Sequence, residues 1–392
     1  MTTCDVAIVG GGAVGSAIAY FLTRDPHRTG KVVVIERDPT YAMASSSLSA
    51  SSIRQQFSTP LNIALSRFGI GFLRNATENL SVDGQPVDLS LRENGYLFLA
   101  TQAGVPVLRA NHAIQKAEHC AVELLEPGVL RERFPWLSVE DIALASFGTA
   151  NEGWFDGPGL LHAFRRKARV QGASYVADEA VGFEKNEERI EAIRMAGGER
   201  ISAGTVVIAA GCWSGRVARL AATALPVEAR RRTVFVLDCR EPLPARMPLV
   251  IDASGVWARP EGRFYLAGVS PPEDRDPPDL PLEPNHEEWD ADVWPVLAER
   301  IPAFAAVKVV NAWAGYYEYN TWDQNGIVGR HPEIANLIFA TGFSGHGIQQ
   351  SPATGRAVAE LIAFGQYRSI DLSLFGFERI AAGRRVQELN VV

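Results

Sequence analysis

The sequence predicts an α/β protein of two domains: a domain built on a parallel sheet, and a second, α+β in character, with a large and mostly antiparallel sheet. Three observations predict it. Strand–helix units occur at 5–23, 31–36, 160–176, 205–220 and 337–364, and alternating β and α units imply a parallel sheet. Between them lie strand-rich segments: Gly95-Tyr96-Leu97-Phe98-Leu99, Thr233-Val234-Phe235-Val236-Leu237, Arg263-Phe264-Tyr265-Leu266-Ala267 and 311–319. Clustered strands form a separate antiparallel sheet. The two textures interleave, so each domain is expected to be discontinuous: 1–85, 150–222 and 325–392 for the first, 86–149 and 223–324 for the second. The 392-residue length suits two or three cores, and 47% hydrophobic with 21% charged residues is a globular composition.

The first element carries the strongest motif. The apolar strand Thr3-Cys4-Asp5-Val6-Ala7-Ile8-Val9 runs into Gly10-Gly11-Gly12-Ala13-Val14-Gly15, followed by the apolar run 16–22, which suits a helix. This is the G-x-G-x-x-G of a Rossmann-like dinucleotide site. Gly10 makes the tight turn, Gly12 admits a pyrophosphate to the backbone around Ala13 and Val14, and Gly15 lets the helix pack on the strand. The free N–H groups of the helix then face the diphosphate. A glycine-rich turn alone would explain the spacing. A second strand, Lys31-Val32-Val33-Val34-Ile35, ends in Glu36, 21 positions after Gly15, where a ribose-binding acid belongs. Such an acid repels a 2′-phosphate, although Arg37 follows it directly.

Composition excludes several classes. A net charge of −7 offers no electrostatic case for nucleic acid. No apolar run reaches the ~20 residues that span a bilayer. The first strand begins by residue 5, which leaves no room for a leader, and a cytoplasmic location is expected. Cys4, Cys120, Cys212 and Cys239 read as reduced, mostly buried thiols, and the seven His lack ligand spacing, so no metal is expected. The only lysines are Lys31, Lys116, Lys167, Lys185 and Lys308. Six prolines over 271–284 rule out a central strand or helix there; the segment reads either as a surface loop or as a lid.

Two further apolar strands end in glycine turns. Thr205-Val206-Val207-Ile208-Ala209-Ala210-Gly211 is one; Leu337-Ile338-Phe339-Ala340-Thr341-Gly342, running into Gly345-His346-Gly347 and a helix over 353–364, is the other. Both place a turn at the carboxyl edge of a parallel sheet, where ligands bind. A single C-cap glycine would explain one such turn, but not three at one edge. The G-x-G-x-x-G motif alone does not separate NAD from FAD; its place at the start of a chain of this length, with the two later turns, favours FAD.

These residues carry a resemblance across the whole chain. Gly10-x-Gly12-x-x-Gly15, Ala44-Ser45-Ser46-Ser47, Ala209-Ala210-Gly211-Cys212-Trp213-Ser214 and Ala340-Thr341-Gly342-Phe343-Ser344-Gly345-His346-Gly347 resemble the FAD-dependent amino-acid oxidase (DAO) superfamily, which includes D-amino-acid, glycine and sarcosine oxidases. Glu36-Arg37-Asp38-Pro39-Thr40-Tyr41, Ile53-Arg54-Gln55-Gln56-Phe57-Ser58, Glu152-Gly153-Trp154-Phe155-Asp156, 312–317 and Asp323-Gln324-Asn325-Gly326 are similar to a mitochondrial subgroup of FAD-dependent oxidoreductase-domain proteins linked to assembly of respiratory complex I. The resemblance implies that Ser45, Ser46 and Ser47 line the diphosphate and ribityl chain and that Val181 meets the adenine. It implies that Ala210, Gly211 and Trp213 close over the cofactor, and that Gly342, Gly345, His346, Gly347, Ile348 and Gln349 meet the ribityl and flavin. Trp213 and Ile348 also fit as plain core residues.

The chain departs from the sarcosine oxidases in three ways. They bond the flavin to a Cys near the place of Gly315 or Tyr316; no Cys follows Cys239 here, so non-covalent FAD is expected. Their carboxylate-pairing Lys falls on Gln349. Their oxygen-activating Lys falls on Tyr265 or Phe264, and without a cation there slow oxygen reactivity is expected. Arg54 aligns with an arginine that clamps the substrate carboxylate; a surface or flavin-contacting arginine is the alternative. Tyr317, Tyr319 and Trp313 either wall the pocket or pack the core. The resemblance implies oxidation of the C–N bond of a small amino acid or N-alkyl amino acid, with the carboxylate-bearing amine as substrate and a quinone or other carrier as possible acceptor. The alternatives are a 2-hydroxy-acid dehydrogenase, or an FAD-binding assembly factor with little catalysis. No general base is assigned.

Overall fold

The computed structural model describes residues 2–25 and 30–389; the outer limits expected at 1 and 392 lie outside them. The first sheet runs, edge to edge, Ile327–Arg330, Leu337–Thr341, Arg200–Ile208, Thr2–Val9, Val32–Glu36 and Ser174–Ala177, with Ile190–Met195 paired to Arg200–Ile208 and Ala180–Lys185 paired in turn to Ile190–Met195. The pairs around Thr2–Val9 are parallel, as are those of Leu337–Thr341 and Ser174–Ala177 with their inner neighbours. Ile327–Arg330 is antiparallel at the edge. A parallel sheet covered on both faces needs apolar residues throughout its strands, and Ala7, Ile8, Val33, Val34, Val206 and Val207 are all buried.

One face packs against the helices Ala13–Thr23, Gly157–Val170 and Gly347–Phe364, through Ile18, Phe164 and Ala357 among others. The other face meets Phe183, Ile193 and Ala218. The helix Gly347–Phe364 begins six residues before the position expected and contains Pro352. Pro352 cannot donate to the Ile348 carbonyl. The Ser351 hydroxyl donates to it instead at 2.9 Å, which lets the helix start directly at the glycine turn.

The second sheet has eight strands in the order Lys308–Asn320, Val227–Asp238, Phe264–Gly268, Trp257–Glu261, Leu249–Ile251, Tyr96–Ala100, Leu144–Gly148 and Val122–Leu125. All pairs are antiparallel except Leu249–Ile251 with Tyr96–Ala100. Side chains alternate between its faces. Leu97, Phe235, Leu237 and Tyr265 pack on one face with Leu297 and Phe304. Tyr96, Phe98, Leu249, Ile251 and Trp257 share the other.

The proline-rich 271–284 segment holds only a short 3₁₀ turn, Glu273–Arg275. It is tied down by Arg232 to Asp276 (2.8 Å) and by Arg216 to Asp279 (2.7 Å), and the Tyr316 hydroxyl donates to the Leu280 carbonyl.

Candidate active site

A cavity of about 1,020 Å³ runs from the first glycine turn to a buried arginine on the second sheet's side. That lies at the upper end of the ~300–1,000 Å³ of ordinary ligand pockets. The three glycine turns stand on the carboxyl edge of the parallel sheet, after Val9, Ile208 and Thr341.

At the dinucleotide end, Gly10, Gly12, Ala13 and Val14 line the wall. Gly15 lies behind it. A Cβ there would stand 1.9 Å from the Gly10 carbonyl oxygen, so only glycine allows this helix–turn packing. The N-cap residue of helix Ala13–Thr23 is Gly12, which has no side chain to cap it, and the positive end of the helix faces the cavity. Glu36 accepts the Gly11 N–H at 2.8 Å and the Asp38 N–H at 2.9 Å. Burial raises its pKa, and those two hydrogen bonds pull it back. The Arg37 guanidinium lies 3.9 Å over the Trp213 ring, beside Glu179, and these three with Val181, Ala210 and Gly211 close this end.

Ser45 and Ser46 line the cavity, and Ser46 Oγ accepts the Ala13 N–H at 3.1 Å. Ser47 does not line it: in the helical turn Ser45–Leu48 successive side chains point about 100° apart, and Ser47 is turned away. Tyr41 Oη and Ser45 Oγ are buried in the wall without a hydrogen-bond partner. Buried polar atoms are normally satisfied, so these two, with a helix N-terminus and a glycine cradle, fit a dinucleotide such as FAD. None of the four cysteines lines the cavity, and all are free thiols.

The far end is built from side chains. Arg54 is 3% exposed and lines the cavity. Its Nη1 donates to the Gln56 carbonyl at 2.6 Å, and its Nη2 lies 3.2 Å from His346 Nε2. Arginine can only donate, so His346 must offer its Nε2 lone pair. Burial, then the neighbouring Arg54 charge, hold the imidazole far below its usual pKa and therefore neutral. Gln349 Oε1 accepts the Arg54 backbone N–H and the Ser66 hydroxyl, both at 3.0 Å, so this side chain braces the Arg54 loop. Tyr317 donates its hydroxyl to the Ser344 carbonyl, and burial pushes its pKa up to about 12. Its ring fills the space where a Gly345 Cβ would stand, 2.5 Å away. Tyr96, Val234, Leu249, Ile251 and Trp257 complete an apolar wall.

Gly345, His346, Gly347, Ile348 and Gln349 all line the cavity. Gly342 does not; its N–H donates to Glu318 Oε2 at 3.1 Å. Tyr265 is also misplaced by the sequence reading. Strand alternation puts it on the opposite face, where its ring meets Phe304 edge-on at 5.0 Å and its hydroxyl accepts the Leu243 N–H.

Sequence reasoning missed three groups here. Glu318 lines the cavity between two glycine turns, and burial pushes its pKa up to about 7 against the Gly342 N–H and the Thr341 hydroxyl. Glu152, wholly buried, accepts from Gln55 N, Gln56 N and Gln56 Nε2. Arg232 lines the cavity 4.8 Å from the Tyr317 ring and is paired with Asp276. Only Glu152 had a signal, the Glu152-Gly153-Trp154 motif; the others sit in runs of similar residues. Among the described residues no group of three His, Cys, Asp or Glu is arranged to hold a metal, and no helix is long and apolar enough to cross a membrane.

Comparison with known proteins agrees with this geometry. The chain is 44% identical over 422 aligned positions to FAD-dependent oxidoreductase domain-containing protein 1 of Xenopus laevis, covering 99% of this chain and 85% of that protein. The structure of L-proline dehydrogenase from P. horikoshii superposes with a TM-score of 0.85 at 26% identity, over 98% of this chain and 99% of that one. Glycine oxidase from Geobacillus kaustophilus superposes with a TM-score of 0.81 at 25% identity, over 96% and 98%. The family model for FAD dependent oxidoreductases (DAO) matches residues 5–361, and the chain belongs to this family of FAD-dependent oxidoreductases.

Proposed function

We propose that this enzyme oxidises the C–N bond of a small amino acid or N-alkyl amino acid, with FAD held non-covalently, and that it works as a dehydrogenase or a slow oxidase. The observation that carries the reading is Arg54: a buried cation at the apolar end of a cavity whose other end is a dinucleotide cradle. A carboxylate is the ligand that such a guanidinium orients best. When bound, FAD supplies the hydride acceptor. Arg54 would fix the substrate carboxylate, and Gln349 and neutral His346 hold the arginine in place. The wall of Tyr96, Leu249, Ile251 and Trp257 excludes water from the reacting carbon. With His346 neutral and its Nε2 turned to Arg54, that imidazole has no lone pair left to take a proton from the amine. The imine product is hydrolysed by water.

None of the five lysines lines the cavity, and of the arginines that do, Arg37, Arg216 and Arg232 are paired with acids and Arg54 is the proposed carboxylate anchor. This supports a carrier such as a quinone over oxygen as acceptor. The two structural relatives include one protein named a dehydrogenase and one named an oxidase, so the scaffold accommodates either outcome.

The test is anaerobic mixing with a panel of amino, N-methylamino, imino and 2-hydroxy acids. Bleaching of the flavin band by an amine is expected, with faster reoxidation by a quinone analogue than by oxygen. Bleaching by hydroxy acids alone would move the reaction to C–OH chemistry. No bleaching by any member would leave an FAD protein with little catalysis.

A further inference from the structure

The turn Asp323-Gln324-Asn325-Gly326 plays no part in the cavity. Its polar side chains are nevertheless buried, Asp323 at 1% and Asn325 at 0% exposure. Asp323 forms a two-pronged pair with Arg379, Nε to Oδ2 at 2.7 Å and Nη2 to Oδ1 at 2.8 Å. Asp323 and Asn325 together grip the 383–389 segment. The Val386 N–H donates to Asp323 Oδ2 at 3.1 Å, and Asn325 Nδ2 donates to the Val386 carbonyl at 2.5 Å. Trp322 Nε1 donates to the Arg384 carbonyl at 3.0 Å.

That grip delivers one carboxylate to the Arg54 loop. Glu388 is 1% exposed. Its Oε1 accepts from Ser58 N and Ser58 Oγ, each at 2.7 Å. Its Oε2 accepts from Thr59 N at 3.1 Å and Asn62 Nδ2 at 3.0 Å. Thr59 is the N-cap of helix Pro60–Arg74, yet its own side chain makes no cap hydrogen bond. Glu388 caps that helix from more than 300 residues away, where a negative charge is favoured. Asn62 passes the contact on: its Oδ1 accepts from Gln350, next to Gln349. Glu388 also lies close enough to Arg54 and His346 to act on both electrostatically.

We propose that Glu388 is a positioning residue: clamped by the Asp323–Asn325 turn, it braces residues 54–62 so that Arg54 stays aimed into the cavity, and carboxylate affinity depends on it. This rests on the carboxylate role proposed for Arg54. None of Ser58, Thr59, Asn62 and Glu388 lines the cavity, so loss of the contact should spare the cofactor.

The experiment uses the full-length FAD-loaded protein as wild type, Glu388→Gln, Glu388→Ala and Arg54→Ala. Benzoate and pyrrole-2-carboxylate are titrated against the flavin spectrum, and amide hydrogen exchange is followed over 54–62. In both Glu388 variants the expected result is retained FAD, faster exchange at Ser58 and Thr59, and a carboxylate Kd raised tenfold or more. An unchanged Kd at Glu388, with a raised Kd in Arg54→Ala, overturns the positioning role while leaving the Arg54 reading intact. Unchanged exchange overturns the brace itself. If neither carboxylate perturbs the wild-type spectrum, or Arg54→Ala binds them unchanged, the Arg54 reading falls and the dependence of carboxylate affinity on Glu388 falls with it, while exchange still decides whether the brace exists.

Discussion

The two ends of the cavity are built from different materials. The dinucleotide end is mostly backbone: glycine turns at three strand ends and a helix N-terminus that begins at a glycine. The Arg54 end is mostly side chain: Gln349 and His346 hold Arg54, Glu152 holds the neighbouring Gln55, and Tyr317 holds the Ser344 carbonyl, from four separate stretches of chain. Backbone recognition is insensitive to most substitutions, but an added Cβ has nowhere to go. A side-chain network can lose one member and keep the fold, at the cost of a mis-set neighbour.

The largest effect should therefore come at the first end. Gly15→Val sets a side chain on the Gly10 carbonyl; overpacking of this kind costs about 3 kcal/mol, and the protein should be recovered colourless or insoluble. Recovery of yellow, stable protein would break the backbone half of the comparison. At the second end, Arg54→Ala should keep its FAD but lose about 100-fold in kcat/KM, since truncating one side of a buried charge pair costs roughly 3 kcal/mol. Loss of FAD instead would mean that Arg54 belongs to the cofactor site.

Glu318 sits between the two ends and sharpens the contrast through pH. Its folded pKa, about 7, is raised above the usual value near 4.5. The folded state thus holds the proton more tightly. The stability this contributes is present in full below about pH 4.5 and is lost as pH rises through about 7. Glu318→Gln should flatten the fall of Tm between pH 5 and 8 by a few degrees, roughly 1–2 kcal/mol. An unchanged slope would show that the Gly342 and Thr341 donors keep Glu318 ionised throughout.

The smallest effect belongs to the exposed Arg216–Asp279 pair, whose side chains are 54% and 51% exposed. Such pairs contribute about 0–1 kcal/mol, so Asp279→Asn should leave Tm nearly unchanged. An altered KM in that variant would make 271–284 a lid rather than a tethered loop.

What was legible in the sequence divides along the same line. The glycine motif, Glu36, the parallel strands and the interleaving of the two textures were readable because each is a local pattern of a few residues. Tyr265 was misassigned because the segment is clear but its parity is not: a one-residue difference in a strand exchanges the faces. Ser47 failed for the analogous reason in a helical turn. Glu318, Arg232 and Glu388 were invisible, since what distinguishes them is the company that distant segments bring. No spacing rule connects Glu388 with Thr59.

The strand order of the first sheet also bears on how the chain folds. Thr2–Val9 finds one neighbour at Val32–Glu36, but the other is Arg200–Ile208, and beyond that lies Leu337–Thr341. A nascent chain leaving the ribosome cannot complete this sheet until Leu337–Thr341 has been made. By then the second sheet's strands are already present. Such long-range pairing folds slowly and leaves apolar edges open in the meantime, so the protein should depend on chaperones during synthesis, and a fragment ending before Leu337 should be cleared by proteolysis rather than persist as half an enzyme.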